Sequence, residues 1–127
     1  MHKDQVAILI LAAGGSSRLG QAKQLLPFGE STMLNRIVDV ALQSKIGNIY
    51  VVLGASYDEV KSSIVDTSVH VIHNKNWEKG LSTSIVAGVK EILKQTPSTQ
   101  GILIMLADQV LILPTHINQV VQVFLAE

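Results

Sequence analysis

The sequence predicts an α/β fold built on a parallel sheet, and three observations carry that prediction. Four short runs, Val6–Leu11, Ile49–Leu53, Val69–Ile72 and Gly101–Leu106, are rich in Val, Ile and Leu and do not alternate with polar residues. Continuous apolar runs of this length suit strands buried on both faces. Helix-spaced apolar stripes lie between the runs. The 127 residues are 47% hydrophobic and only 16% charged, a composition that excludes a disordered tail or a solvated helical rod. A chain of this mass can bury roughly two-thirds of its unfolded surface, enough for a core without staples.

Taken in order, Val6–Leu11 is the first strand. Met33, Leu34, Ile37, Val38, Ala41 and Leu42 then repeat at helix spacing, with Ser31 or Thr32 placed to cap. Ile49–Leu53 is the second strand and Ser56 to Val65 a shorter helical segment. Val69–Ile72 is the third strand. Leu81, Ile85, Val89, Ile92 and Leu93 form a helix beginning after Gly80. Thr96-Pro97-Ser98-Thr99 reads as a surface turn before the fourth strand, Gly101–Leu106. A last stripe, Ile117, Val120, Val121, Phe124 and Leu125, begins after Pro114 and Thr115. The pattern is βαβαβαβα, a Rossmann-like three-layer arrangement of about four strands with right-handed crossovers and flanking helices. The simplest strand order is 3-2-1-4.

One connection is too long for an ordinary βα loop. Ala12 to Glu30 separates the first strand from the first helix, where about 2–6 residues would suffice. It leaves the carboxyl end of a strand, where open α/β sheets bind ligands. Gly14 and Gly15 permit close approach of a ligand to the backbone, and successive N–H groups can form an anion nest. Arg18 offers a planar fork to phosphate oxygens and Lys23 a compact charge. The bland alternative is a Gly-Ser loop carrying two solvated cations. The familiar phosphate motifs are absent: Gln21 follows Gly20 where a P-loop needs Lys, and Gly14-Gly15-Ser16 does not fit G-x-G-x-x-G.

Other residues have two readings each. Asp108 follows the fourth strand, where a hard carboxylate oxygen suits Mg²⁺ or else shapes a turn. Asn74, Gly80, Ser82 and Ser84 lie on the connection to the third helix, and the serines can cap it or reach a ligand. Trp77, the single tryptophan, can stack on a ligand or pack against the sheet edge. The four histidines read as structural or solvated, since His70 and His73 face opposite sides of a strand. No G-x-S-x-G elbow is present.

The segment Leu11-Ala12-Ala13-Gly14-Gly15-Ser16-Ser17-Arg18-Leu19-Gly20-Gln21-Ala22-Lys23-Gln24-Leu25-Leu26-Pro27 resembles the signature loop of MobA-like NTP transferases. Within that superfamily it is most similar to the molybdenum cofactor cytidylyltransferase group. Asn74 to Ser84, followed by Gly88, resembles the group's N-x-x-W-x-x-G-x-x-x-S segment, and Ala107-Asp108-Gln109 its A-D-Q-P, with Val110 in place of the proline. The resemblance covers essentially the whole chain. It implies a nucleotide-diphospho-sugar transferase type of fold, with residues 1–127 forming the nucleotide-binding part of one domain whose acceptor part is missing here.

By the same resemblance, Leu11, Ala12, Ala13, Gly14, Gly15 and Ser16 lie along the nucleotide, together with Asn74, Gly80, Ser82 and Ser84. Arg18 and Lys23 hold the phosphates, and Asp108 holds Mg²⁺. Arg18, Lys23 and Asp108 are the implied catalytic set. The implied reaction moves CMP from CTP to a phosphate-bearing acceptor, molybdopterin in the nearest group, and releases pyrophosphate. Two rivals remain: a transferase using another nucleotide and a sugar or alcohol phosphate, and a nucleotide-binding or interaction module without turnover.

Ten basic residues balance ten acidic ones, so no overall field attracts nucleic acid or an anionic membrane. There is no cysteine, which excludes disulfides and thiolate metal sites. The run Val6 to Ala13 is too short to span a bilayer and lacks signal-peptide proportions, so a cytoplasmic chain is expected. The apolar composition at zero net charge points to an association surface, for self-association or for a partner that is missing.

Overall fold

The computed structural model describes residues 5–15, 23–109 and 111–126, the side chain of Lys23 excepted. Its main sheet contains β1 (Val6–Ala12), β4 (Ile49–Leu53), β5 (His70–His73) and β6 (Gly101–Leu106). Their order is β5-β4-β1-β6, all parallel, which is the expected 3-2-1-4 order. β1 is central: Ile8 lies opposite Ile49 of β4, and Val6 opposite Gly101 of β6.

Four helices complete the fold: α1 (Met33–Gln43), α2 (Tyr57–Ser63), α3 (Leu81–Gln95) and α4 (Pro114–Ala126). Strand alternation sends Ile8, Ile10 and Ala12 to one face, where they pack with Leu34 and Ile37 of α1, Val60 of α2 and Ile117 of α4. Leu9, Leu11 and Ala13 face the other way, with Tyr50, Val52 and Ile92 of α3. The three layers are therefore α1, α2 and α4, then the sheet, then α3. At Gly88 helix and strand approach so closely that a Cβ would lie 2.5 Å from Leu9 Cδ2.

Three local differences from expectation have clear causes. β5 runs one residue later than Val69–Ile72, because its pairing with β4 runs from His70 opposite Tyr50 to His73 opposite Leu53; His70 also stacks on Tyr50 and His73 on Tyr57, at 4.7 and 3.9 Å between ring centroids. α4 starts at Pro114, which suits a first helical position because it has no N–H to leave unpaired. His116 Nδ1 accepts the backbone N–H of Leu113 at 3.0 Å, as a capping-box residue would. A two-strand hairpin, β2 (Pro27–Phe28) and β3 (Ser31–Thr32), precedes α1. Thr32 then caps α1 by accepting the Asn35 N–H at 3.1 Å. Among the described residues, no helix is long and apolar enough to cross a membrane.

Candidate functional site

The strand order places the carboxyl ends of β1 and β6 side by side. Ala107 N donates to Leu11 O at 3.1 Å, and Ala55 N donates to Ala13 O at 3.0 Å, so the chains leaving β1, β4 and β6 are tied together. A cleft of about 430 Å³ opens there. Its first wall is Leu11, Ala12, Ala13, Gly14 and Gly15; its second is Leu106, Ala107 and Asp108. Trp77, Glu78, Gly80, Leu81 and Ser84 form the third, and Gln24 and Met33 complete it. The volume falls in the range of small-molecule sites.

Gly54 lets Trp77 into its place, since a Cβ there would lie 2.6 Å from Trp77 Cβ. A Cβ on Gly15 would lie 3.0 Å from the indole edge. Trp77 thus packs over the chains leaving β1 and β4 and walls the cleft, rather than the sheet edge.

Asp108 is presented by a braced turn. Gln109 N donates to Leu106 O at 3.1 Å, while Gln109 Oε1 accepts the Leu106 N–H at 2.9 Å. Asp108 is exposed and lines the cleft, on the chain leaving β6. A hard oxygen in that position suits Mg²⁺, which takes one or two carboxylates and fills its shell from phosphates and water. Among the described residues, no three His, Cys, Asp or Glu side chains group to hold a metal alone. Asp108 is a cleft-lining carboxylate whose chemistry fits such an ion.

The connection to α3 corrects one expectation. Neither Ser82 nor Ser84 caps the helix: its N-cap is Gly80, with no side-chain cap hydrogen bond. Gly80 sits at φ +112°, a conformation closed to most residues. The hydroxyl of Thr83 donates to Gly80 O at 2.7 Å. Ser84 is buried and accepts from Asn74 Nδ2 at 2.9 Å, and Asn74 Nδ2 also donates to Thr83 Oγ1 at 2.9 Å. Asn74 Oδ1 accepts the Asn76 N–H at 2.9 Å. The Asn74 amide is committed to bracing this wall from behind; it does not line the cleft. Ser82 is exposed in the first turn of α3, also off the lining.

Of the residues expected at the site, Leu11 to Gly15, Gly80, Ser84 and Asp108 line one cleft. Ser16 and Arg18 lie outside the described residues, as does the side chain of Lys23, whose backbone opens a short 3-10 turn over Lys23–Leu25. Gln24, Met33 and Glu78 line the cleft without having been singled out. For Gln24 a signal existed, a polar residue set directly before Leu25-Leu26. Met33 and Glu78 offered none. The histidines keep structural positions, except His2, which lies outside the described residues.

Comparison with known proteins agrees with this geometry. Molybdenum cofactor cytidylyltransferase of Escherichia coli K12 is 36% identical over 85 residues, which cover 66% of this chain and 44% of that protein. The crystal structure of Rv0371c from Mycobacterium tuberculosis H37Rv superposes with a TM-score of 0.83 at 31% identity, over 99% of this chain and 63% of that one. A manganese complex of the same protein gives a TM-score of 0.76 at 27% identity, over 96% and 60% of the two chains. The chain thus spans less than two-thirds of the length of these relatives. The family model described as MobA-like NTP transferase domain matches residues 8–127, and the chain belongs to that family, with its nucleotide-diphospho-sugar transferase fold.

Proposed function

We propose that this chain is the nucleotide-binding part of a nucleotidyltransferase that transfers CMP from CTP to a phosphate-bearing acceptor of the molybdopterin cofactor type. The observation that carries the reading is the meeting of the glycine loop with Asp108 across adjacent β1 and β6. The name of the Escherichia coli relative supports cytosine and the molybdenum cofactor as the first choices of base and acceptor.

In this reading an acceptor phosphate oxygen attacks the α-phosphorus of CTP. The bond from that phosphorus to the bridging oxygen breaks, and pyrophosphate leaves with the electron pair. No covalent enzyme intermediate is needed; the protein positions the groups and stabilises charge. Loop N–H groups along Ala12 to Ser16 face the nucleotide. Arg18 and Lys23 hold the triphosphate and offset the charge on the leaving group. Asp108 would hold Mg²⁺, which would supply neutralisation of phosphate charge. Asn74 and Ser84 hold the α3 wall in place, and Gly80 gives the nucleoside access to it.

Calorimetric titration with CTP, GTP, UTP and ATP, with and without Mg²⁺, tests the reading. Preferred, Mg²⁺-dependent CTP binding is expected. Lys23→Ala should weaken it by roughly tenfold or more, the size of a lost charge-assisted hydrogen bond. Asp108→Asn should remove most of the Mg²⁺ dependence. Preference for another base would keep the transferase and change its substrate. No binding at all would overturn the nucleotide site.

A further inference from the structure

Gln24 is buried, with 6% of its surface exposed, although nothing about its sequence position demands a polar residue in an interior. Its Nε2 donates to Ala12 O at 2.6 Å and to Gly14 O at 3.2 Å. Two carbonyl partners fix which end of the amide is nitrogen and leave Oε1 on the other side. Oε1 is itself buried and has no hydrogen-bond partner among the described residues. Such an orphaned acceptor is destabilising, and Gln24 lines the same cleft as Asp108 and Trp77. A Met or Leu here would fill the space without that cost.

The two donated bonds have a geometric consequence. A trans peptide points its C=O and its N–H in opposite directions. Turning the Ala12 and Gly14 carbonyls toward Gln24 therefore turns the N–H groups of Ala13 and Gly15 away from it. One side chain thus sets two loop peptides and keeps one acceptor in reserve.

We propose that Gln24 is a nucleoside-binding residue: its amide hydrogens hold the loop, and Oε1 receives a hydrogen bond from a sugar hydroxyl or a base N–H of the bound nucleotide. The proposal rests on the reading of the cleft as a nucleotide site. The triphosphate is not the partner, because its oxygens are acceptors at neutral pH and a carbonyl oxygen has no proton to give them. Sugar and base carry the donors.

The test is titration of the full chain, with Mg²⁺ present, by CTP, 2′-deoxy-CTP, 3′-deoxy-CTP and UTP, for the unaltered protein and for Gln24→Met, with thermal unfolding to confirm that the variant folds. The unaltered protein should disfavour one analogue by about tenfold. A deoxy analogue would identify a sugar hydroxyl; UTP would identify the cytosine amine. Gln24→Met should weaken CTP by a similar factor and erase that discrimination. Equal affinity of the unaltered protein for all four nucleotides overturns the proposal without recourse to the variant. So does CTP affinity unchanged in Gln24→Met, or a uniform loss that preserves the discrimination, which would leave Gln24 holding the loop alone. If the unaltered protein binds no nucleotide, the functional reading falls and this proposal with it.

Discussion

β1 and β6 are neighbours with equally apolar sequences, yet they live in different surroundings. Every residue of β1, VAILILA, is buried, because β4 and β6 flank it and helices cover both faces. β6, GILIML, sits at the sheet edge; Ile104 is 42% exposed and Leu106 37%. The cause is visible in the layers. α4 covers the face of β6 that carries Leu103 and Met105, whereas α3 on the opposite side reaches Ile102 and leaves Ile104 and Leu106 open. Leu81, Val86 and Leu93 of α3 are exposed as well. Apolar runs in a sequence state how much burial a strand is suited to; neighbours decide how much it receives.

The comparison is broken most directly by matched truncations. Ile10→Ala, at a fully buried site, should cost roughly 2–5 kcal/mol in urea unfolding. Ile104→Ala should cost about 1 kcal/mol or less. Equal losses would show that the outer face of β6 is covered in solution.

Two glycines sharpen it. An added Cβ would lie 2.5 Å from Leu9 at Gly88 and 2.6 Å from Phe124 at Gly101. Leu9 is fully buried and has nowhere to go, whereas Phe124 is 38% exposed and can swing outward. Gly88→Ala should therefore destabilise by about 1–3 kcal/mol, although helix propensity alone favours Ala by about 1 kcal/mol. Gly101→Ala should cost clearly less. A stabilised Gly88→Ala protein would mean that α3 sits farther from β1 than described.

Smaller effects lie away from both strands. Thr32→Ala removes the cap of α1 and should cost about 1 kcal/mol. The smallest involves Asp66, whose carboxyl is held below the usual range by the Ser68 hydroxyl and then by the Ser68 backbone N–H. A lowered carboxyl stabilises the fold above its unfolded value, and that share is lost as pH falls through the folded one. The stability gap between the parent and Asp66→Ala should thus be constant near neutrality and shrink below about pH 4. A gap that persists to lower pH would assign it to something other than the charge.

The layers and strand order were legible because the apolar runs are long and bounded. Ile49–Leu53 and Gly101–Leu106 begin and end where the sequence says. β5 was less so, because its limits are set by its register with β4, and its ends are the histidines His70 and His73 rather than apolar residues. The cleft was legible through Gly14, Gly15 and Asp108, which follow the carboxyl ends of apolar runs, and through Gly80, which precedes a helix-spaced stripe. Asn74 and Ser84 were picked out as ligand contacts, but only three-dimensional packing shows them bonded to each other. Gln24 was marked only as a polar residue directly before Leu25-Leu26; its importance lies in two backbone carbonyls ten and twelve positions away, which no side-chain pattern reports.

The pairing of β1 with β6 also governs how the molecule is assembled. Among the described strands of the main sheet the central one comes first in chain order, and one of its edges is completed by the one that comes last. Closing that pair joins residues as distant in sequence as Val6 and Gly101, so its entropic cost falls late and is not shared with local turns. Until then Val6–Leu11 presents an open apolar edge beside a nascent β4. The rate of folding should therefore be limited by docking of β6, and the interval before it is the period in which this chain is exposed to mispairing.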